Sequence, residues 1–106
     1  MTVYMITQMT IHDRESYGKY EAGFMEVFEK FDGKMLSVDD APECVAGEWT
    51  ASRSILIEFP NREAWKAWIT SPAYAEISKH RITASVANAI LVKGLDGASS
   101  VDAING

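Results

Sequence analysis

The sequence contains a single cysteine, Cys44, and no excess of basic residues. One cysteine cannot form an intrachain disulfide, a CxxC redox pair or a cysteine-rich zinc site. Ten Lys and Arg stand against fifteen Asp and Glu, which gives a formal net charge of −5. This balance argues against a nucleic-acid-binding surface and against attraction to an anionic membrane.

Long apolar runs and targeting signals are also missing. No run is long enough to span a bilayer, and no basic residue precedes the apolar residues of the N-terminus, so we predict neither a membrane span nor a signal peptide. The chain has no phosphate-binding loop, Rossmann glycine pattern or GxSxG elbow, so no nucleotide cofactor is indicated. We therefore expect a cytoplasmic protein without a cofactor.

Histidine is scarce as well, with only His12 and His80 in the chain. They lie far apart in sequence and form no HxH or HxxxH pair, so no metal site is predicted and haem ligation is not supported. Structural or surface roles are the simpler interpretation of both residues.

What is present is typical of one globular domain. The chain has 106 residues, of which 47% are hydrophobic and 24% are charged. A chain of this length can bury enough apolar surface for a core without disulfides. We predict a domain over residues 1–94 and a small, mostly polar C-terminal tail over residues 95–106.

Hydrophobic patterning predicts four main strands and two helical units. β-branched and aromatic residues place the strands over residues 3–10, 34–38, 54–59 and 86–92. The segment 43–49 is predicted to form a short strand or a bent continuation of the second strand. Collapsed to its main elements, the order is β-α-β-β-α-β, which is typical of a ferredoxin-like α+β fold with an antiparallel sheet and helices on one face.

The helices have recognisable start signals. Asp13 and Asn61 are residues that cap helix N-termini, and Ser71 followed by Pro72 predicts the start of a further short helix. Gly33 is predicted to adopt the left-handed conformation that commonly follows a helix C-terminus.

The predicted strands are apolar on both faces, which predicts a homodimer. Ile55, Ile57 and Phe59 share one face of their strand, while Leu56 points the other way. A sheet face left open with such residues would be a large exposed apolar patch, which monomers rarely tolerate. Two copies packed sheet against sheet would cover it; alternatively, the tail would.

Several short motifs together carry a resemblance to a known family. They are Tyr17-x-x-Tyr20, Gly33, Gly47-Glu-Trp49, Arg53, Ile57-Glu-Phe59-Pro60, Ala67-Trp68, Ser71-Pro72-x-Tyr74 and Arg81. In this order and spacing they resemble the family catalogued as domain of unknown function 1330, over about residues 3–94. The resemblance implies a dimeric α/β barrel with a ferredoxin-like fold and implies no reaction. The chain departs from the family pattern at Asp32-Gly33, where Gly-Gly is usual.

Eight residues are candidates for lining a ligand-binding cleft between helices and sheet. Aromatic rings with polar edges and a few charged groups are the usual lining of a small-molecule site. The candidates are Tyr17, Tyr20, Trp49, Arg53, Glu58, Trp68, Tyr74 and Arg81.

The two charged candidates Arg81 and Glu58 have alternative roles. Tyr74 and Arg81 are seven residues apart, so they share one helix face, which we expect to point towards the sheet. Arg81 is predicted to bond a carboxylate or a carbonyl, either in an ion pair or in a ligand. Glu58 would be a general base if it faced the helices, but a surface ion-pairing residue if it faced outward.

Three functions remain open from the sequence. The first is a homodimer that binds a small organic molecule in the cleft. The second is a cofactor-independent monooxygenase or isomerase, which needs Glu58 or a histidine inside the cleft. The third is a structural or interaction protein with a filled core.

Overall fold

The computed structural model describes residues 1–95, so the predicted tail lies outside the described residues except for Leu95. The boundary at residue 94 stays a prediction. The elements are four strands and three helices: β1 (Val3–Ile11), α1 (Arg14–Phe28), β2 (Lys34–Asp39), β3 (Arg53–Phe59), α2 (Arg62–Ile69), α3 (Pro72–Ala84) and β4 (Ser85–Lys93).

The strands form one antiparallel sheet in the order β2-β3-β1-β4. Because successive side chains of a strand alternate, each strand contributes to two faces. The inner face, covered by the helices, carries Val3, Met5, Thr7 and Met9 of β1. The outer face carries the side chains between them, including the exposed Ile6. This arrangement confirms the predicted α+β architecture.

Each helix begins at the capping residue that the sequence predicts. The side chain of Asp13 accepts a hydrogen bond from the Ser16 amide at 3.1 Å. Asn61 accepts from the Ala64 amide at 2.8 Å, which starts α2. Ser71 accepts from the Tyr74 amide at 3.1 Å, with Pro72 next to it. Capping satisfies amides that the first helical turn leaves unpaired.

The core is most tightly packed at one end of the inner face. Phe28 of α1, Phe59 of β3 and Trp68 of α2 form a triangle of aromatic rings. The Phe59 and Trp68 rings are stacked with centroids 5.6 Å apart, and Phe28 meets both edge-on at 5.9 and 5.5 Å. Aromatic pairs favour these offset and edge-to-face geometries.

The segment predicted as a short strand over residues 43–49 is instead part of an irregular connection between β2 and β3. The prediction was wrong because its apolar residues find no cover: Val45 is 89% exposed. Gly47 adopts a positive φ of 71°, which favours a turn over a strand.

Gly33 is required for space rather than for its backbone conformation. Its φ is not positive, contrary to the sequence prediction. A Cβ at this position would lie 2.5 Å from Cζ of Phe28 and 2.7 Å from Cζ of Phe59. The chain therefore passes directly against the aromatic core as it enters β2.

Replacement of Gly33 by alanine should lower the free energy of unfolding by about 1–3 kcal/mol, because two buried rings must move. Gly18→Ala is the matched control, since Gly18 lies within α1 and nothing is within 4 Å of its Cβ position. That change should stabilise the protein by about 0.5–1 kcal/mol through helix propensity. Equal effects of the two substitutions in urea unfolding would contradict the packing argument.

Candidate functional site

A cavity of about 350 Å³ lies between the inner face and the helices. Small side chains form much of its floor: Thr7 of β1 pairs with Ala89 of β4, and Ala87 lies next to Met9 of β1. Ala89 remains exposed although it faces the helices, so the cavity is open to solvent there. The side chains of the floor are too short to reach the helices, so the space between the floor and the helices stays unfilled.

Most of the cavity lining is apolar. Residues from all three helices and all four strands surround the space, and many of their side chains are flexible or aromatic. They include Met5, Phe24, Met25, Met35, Ile55, Ile57 and Ile69. Methionine adapts its shape to irregular contacts, so this wall suits an apolar body of variable outline.

Two tyrosines close one side of the cavity. The hydroxyls of Tyr20 and Tyr74 are 3.1 Å apart and share a hydrogen bond that joins α1 to α3. Burial, reinforced by Tyr74, raises the pKa of the Tyr20 phenol. The Tyr20 hydroxyl is therefore neutral at ordinary pH. One hydroxyl donates to the other, so the accepting one keeps a hydrogen to donate elsewhere.

Arg53 is buried at the start of β3 and fully engaged by neighbours. Asp39 pairs with Ser54 in the sheet, so Asp40 lies across from Arg53. Nε and Nη2 donate to the two Asp40 oxygens at 2.6 and 3.2 Å. Nη1 donates to the Tyr17 hydroxyl at 3.2 Å and lies 3.5 Å from Glu21 Oε2.

This network shifts the pKa of two groups beside the cavity. Hydrogen bonds from Arg53 hold the pKa of the Asp40 carboxyl below its ordinary value. Burial raises the pKa of the Tyr17 phenol, although Arg53 opposes the shift. Asp40 is consequently ionised and Tyr17 is neutral near pH 7.

Arg81 borders the cavity from α3, on the same helix side as Tyr74. Its predicted bond to a carboxylate or carbonyl is not formed: among residues 1–95 the buried Nε has no hydrogen-bond partner. The indole Nε1 of Trp68, a cavity-lining residue, is also buried without one. Two N–H donors of the lining are thus unpaired.

The structure brings six of the sequence candidates together around this cavity: Tyr17, Tyr20, Arg53, Trp68, Tyr74 and Arg81. Trp49 lies in the irregular connection before β3, is 40% exposed and does not contribute to the lining. Glu58 pairs with Tyr4 on the outer face, because its neighbours Ile57 and Phe59 point inward.

Sequence reasoning missed the floor of the cavity. Ser85, Ala87 and Ala89 alternate with larger residues along β4, so that strand carries a small-residue face. That period-two pattern of small residues was the available signal for a cavity. Sequence reasoning also missed the ion pair of Asp40 with Arg53, because this pair depends on the register between β2 and β3.

Neither a metal centre nor a membrane span is found in the described part of the chain. Among residues 1–95, no three His, Cys, Asp or Glu side chains are grouped to hold a metal ion. None of the three helices has the length and apolar character needed to cross a membrane.

The chain belongs to the family described as domain of unknown function 1330, whose model matches residues 2–95. No curated protein matches it significantly in sequence. A protein of unknown function from Rhodopseudomonas palustris has a similar structure, with a TM-score of 0.74, 24% identity, and coverage of 90% of this chain and 83% of that one.

Two more distant structures share the fold. A dimeric ferredoxin-like protein of unknown function from Jannaschia sp. CCS1 gives a TM-score of 0.64 at 7% identity, covering 89% of this chain and 100% of its own. SnoaB, a cofactor-independent oxygenase from Streptomyces nogalater, gives 0.59 at 12% identity, covering 88% and 92%. At these identities the similarity establishes a ferredoxin-like fold and nothing about function.

Removal of the Asp40 charge should destabilise the protein in a pH-dependent way. Because the folded-state pKa of Asp40 is lowered, its contribution is present at neutral pH and is lost as pH falls through that pKa, below about pH 4. Asp40→Asn should therefore cost about 1 kcal/mol at pH 7, a modest value because solvent screens the half-exposed carboxylate. The difference from wild type should shrink in acid, as measured by urea unfolding.

Asp32→Asn is the control, since Asp32 is an exposed carboxylate just before β2. A cost for Asp40→Asn that is independent of pH, or an equal cost for Asp32→Asn, would contradict this account of the Arg53–Asp40 pair.

Proposed function

We propose that this member of the family binds a small organic molecule in the cavity between the inner face and the helices. The observation that carries the proposal is the cavity itself, which is about 350 Å³ in volume, open at Ala89 and mostly apolar. Cavities of this size with a few placed polar groups are typical of small-molecule sites.

The cavity favours binding over a purely structural role. Protein interiors are close-packed, and unfilled space forfeits dispersion contacts. Here the small residues Ala87 and Ala89 line the cavity together with the buried Tyr17 and Tyr20, and larger residues on β4 would have filled the gap. A ligand that occupies the space would recover those contacts.

The oxygenase or isomerase hypothesis receives less support. It required a general base inside the cleft, and Glu58 lies on the outer face. His12 and His80 are exposed and do not contribute to the lining. The oxygenase activity of SnoaB belongs to a protein that is 12% identical and supports only the shared fold. We therefore propose binding and assign no reaction.

A larger residue at Ala89 should abolish binding. Ala89→Leu places a branched side chain on the cavity floor and should reduce affinity for mono- and bicyclic aromatic compounds at least about tenfold, since it removes the space they occupy. Native mass spectrometry of freshly purified protein, before and after incubation with such a mixture, measures the bound species directly. Thermal unfolding checks that the variant is folded.

Ala75→Leu is the matched control, because Ala75 is exposed on α3 and outside the cavity. It should bind as wild type does. If wild type retains no compound, or if Ala89→Leu binds as tightly as Ala75→Leu, the proposed function is wrong.

We also propose that the chain forms a homodimer through the outer face. Leu56, Ile6 and Ile90 lie directly opposite one another across β3, β1 and β4, which makes a continuous apolar row. Ile90 is 60% exposed and Ile6 is 41% exposed. A second copy would remove this row from water. The dimeric Jannaschia protein with the same fold supports dimerisation.

An acidic residue in this row should separate the subunits. Sedimentation of wild type at micromolar concentration should give about twice the chain mass of 11.7 kDa, and Ile90→Asp should give a single chain, because burying a carboxylate in an apolar interface is unfavourable. Ile82→Asp is the control, since Ile82 is equally exposed but lies on α3. A monomeric wild type, or dissociation by Ile82→Asp alone, would overturn the proposal.

A further inference from the structure

The cavity lining contains hydrogen-bond donors without acceptors. Arg81 Nε and Trp68 Nε1 are buried and have no hydrogen-bond partner among residues 1–95. Trp68 as a whole is only 1% exposed. Buried N–H groups in native proteins almost always have a partner, and an orphan is costly. Both residues contribute to the lining of the same cavity, so a bound molecule with an acceptor would lie close to them.

The two arginines of the cavity are in different electrostatic situations. Arg53 is held by both Asp40 oxygens, by the Tyr17 hydroxyl and by Glu21. Arg81 forms no ion pair with the carboxylates of the described residues. The positive charge of Arg81 is therefore available, whereas that of Arg53 is already neutralised by its neighbours.

Tyrosine hydroxyls of the lining can supply further donors. Whichever hydroxyl of the Tyr20–Tyr74 pair accepts retains one hydrogen for a further bond. Glu21 is the one carboxylate that borders the cavity in the described structure, and it faces Arg53 at 3.5 Å. A site with donors in excess selects a ligand rich in acceptors.

We infer that the ligand is an amphipathic anion, with a carboxylate or enolate bound by Arg81 and an apolar body among Phe24, Ile57 and Met35. This inference rests on the proposed function, because it names the chemical class that the cavity takes. A guanidinium binds a carboxylate through paired, charge-assisted hydrogen bonds. The methionine and aromatic side chains of the cavity lining give the apolar part of the ligand an apolar environment.

Matched pairs of acids and amides test the charge requirement. Benzoate, naphthoate and anthroate are compared by calorimetry with their uncharged amides, which have nearly the same shape. Wild type should bind at least one acid about tenfold or more tightly than its amide. Arg81→Met should remove that preference by weakening the acid while leaving the amide within about twofold.

Two further variants test whether Arg81 itself is the group that binds the anion. Lys79→Met removes an exposed positive charge two residues away on the same helix, and it should keep the preference. Glu21→Gln removes the competing carboxylate and should tighten acid binding. If Glu21 were instead the true partner of Arg81, Glu21→Gln would lower thermal stability as much as Arg81→Met does.

The outcomes distinguish the inference from the proposed function. Amides that bind as tightly as acids, and that Ala89→Leu excludes, would overturn the anion assignment while leaving cavity binding intact. A preference that survives in Arg81→Met would also overturn it. If no acid and no amide binds to wild type, both the proposed function and this inference are wrong.

Discussion

The alternation of side chains along the strands is the constraint from which the rest of the structure follows. It sends Ile57 and Phe59 into the core and Glu58 outward, and it fixes two faces with different requirements. The inner face must be covered by helices, and the outer face carries the exposed apolar row of Leu56, Ile6 and Ile90. A shift of one residue in register would exchange the two sets.

Along the inner face, residue size then decides between packing and cavity. Phe59 meets the aromatic rings of Phe28 in α1 and Trp68 in α2, and the space there is filled. Further along the sheet, Thr7, Ala87 and Ala89 are too short to reach the helices. The same layer is consequently a rigid core at one end and an open cavity at the other, which holds the cavity walls in place.

The sequence predicts the fold well because its signals are local. Caps at Asp13, Asn61 and Ser71 and the alternation in each strand depend on near neighbours along the chain. Trp49 was wrongly predicted to line the cavity, because the strand predicted for residues 43–49 has no partner strand and is not formed. Of the two roles predicted for Arg81, the ion pair within the protein is not formed among residues 1–95. Ion pairing depends on which side chains the tertiary structure brings close, as the Arg53–Asp40 pair illustrates.

The two arginines that line the cavity differ in whether their charge is paired within the protein. Arg53 joins β2, β3 and α1 through Asp40, Tyr17 and Glu21, and its charge is used within the fold. Arg81 keeps its charge beside a cavity. A buried, unpaired donor is expensive for a folded protein, so its retention beside Trp68 is the strongest structural argument for a ligand.

The most direct test is a proton–nitrogen correlation spectrum of the side-chain N–H groups during titration with naphthoate. The account predicts that the Arg81 Nε–H resonance shifts downfield as the carboxylate binds the guanidinium, and that the Trp68 Nε1–H resonance, which reports on the cavity lining, also moves. The indole of Trp49, outside the cavity, should be unaffected. Saturable binding of naphthoate with no change in either buried resonance would contradict the account.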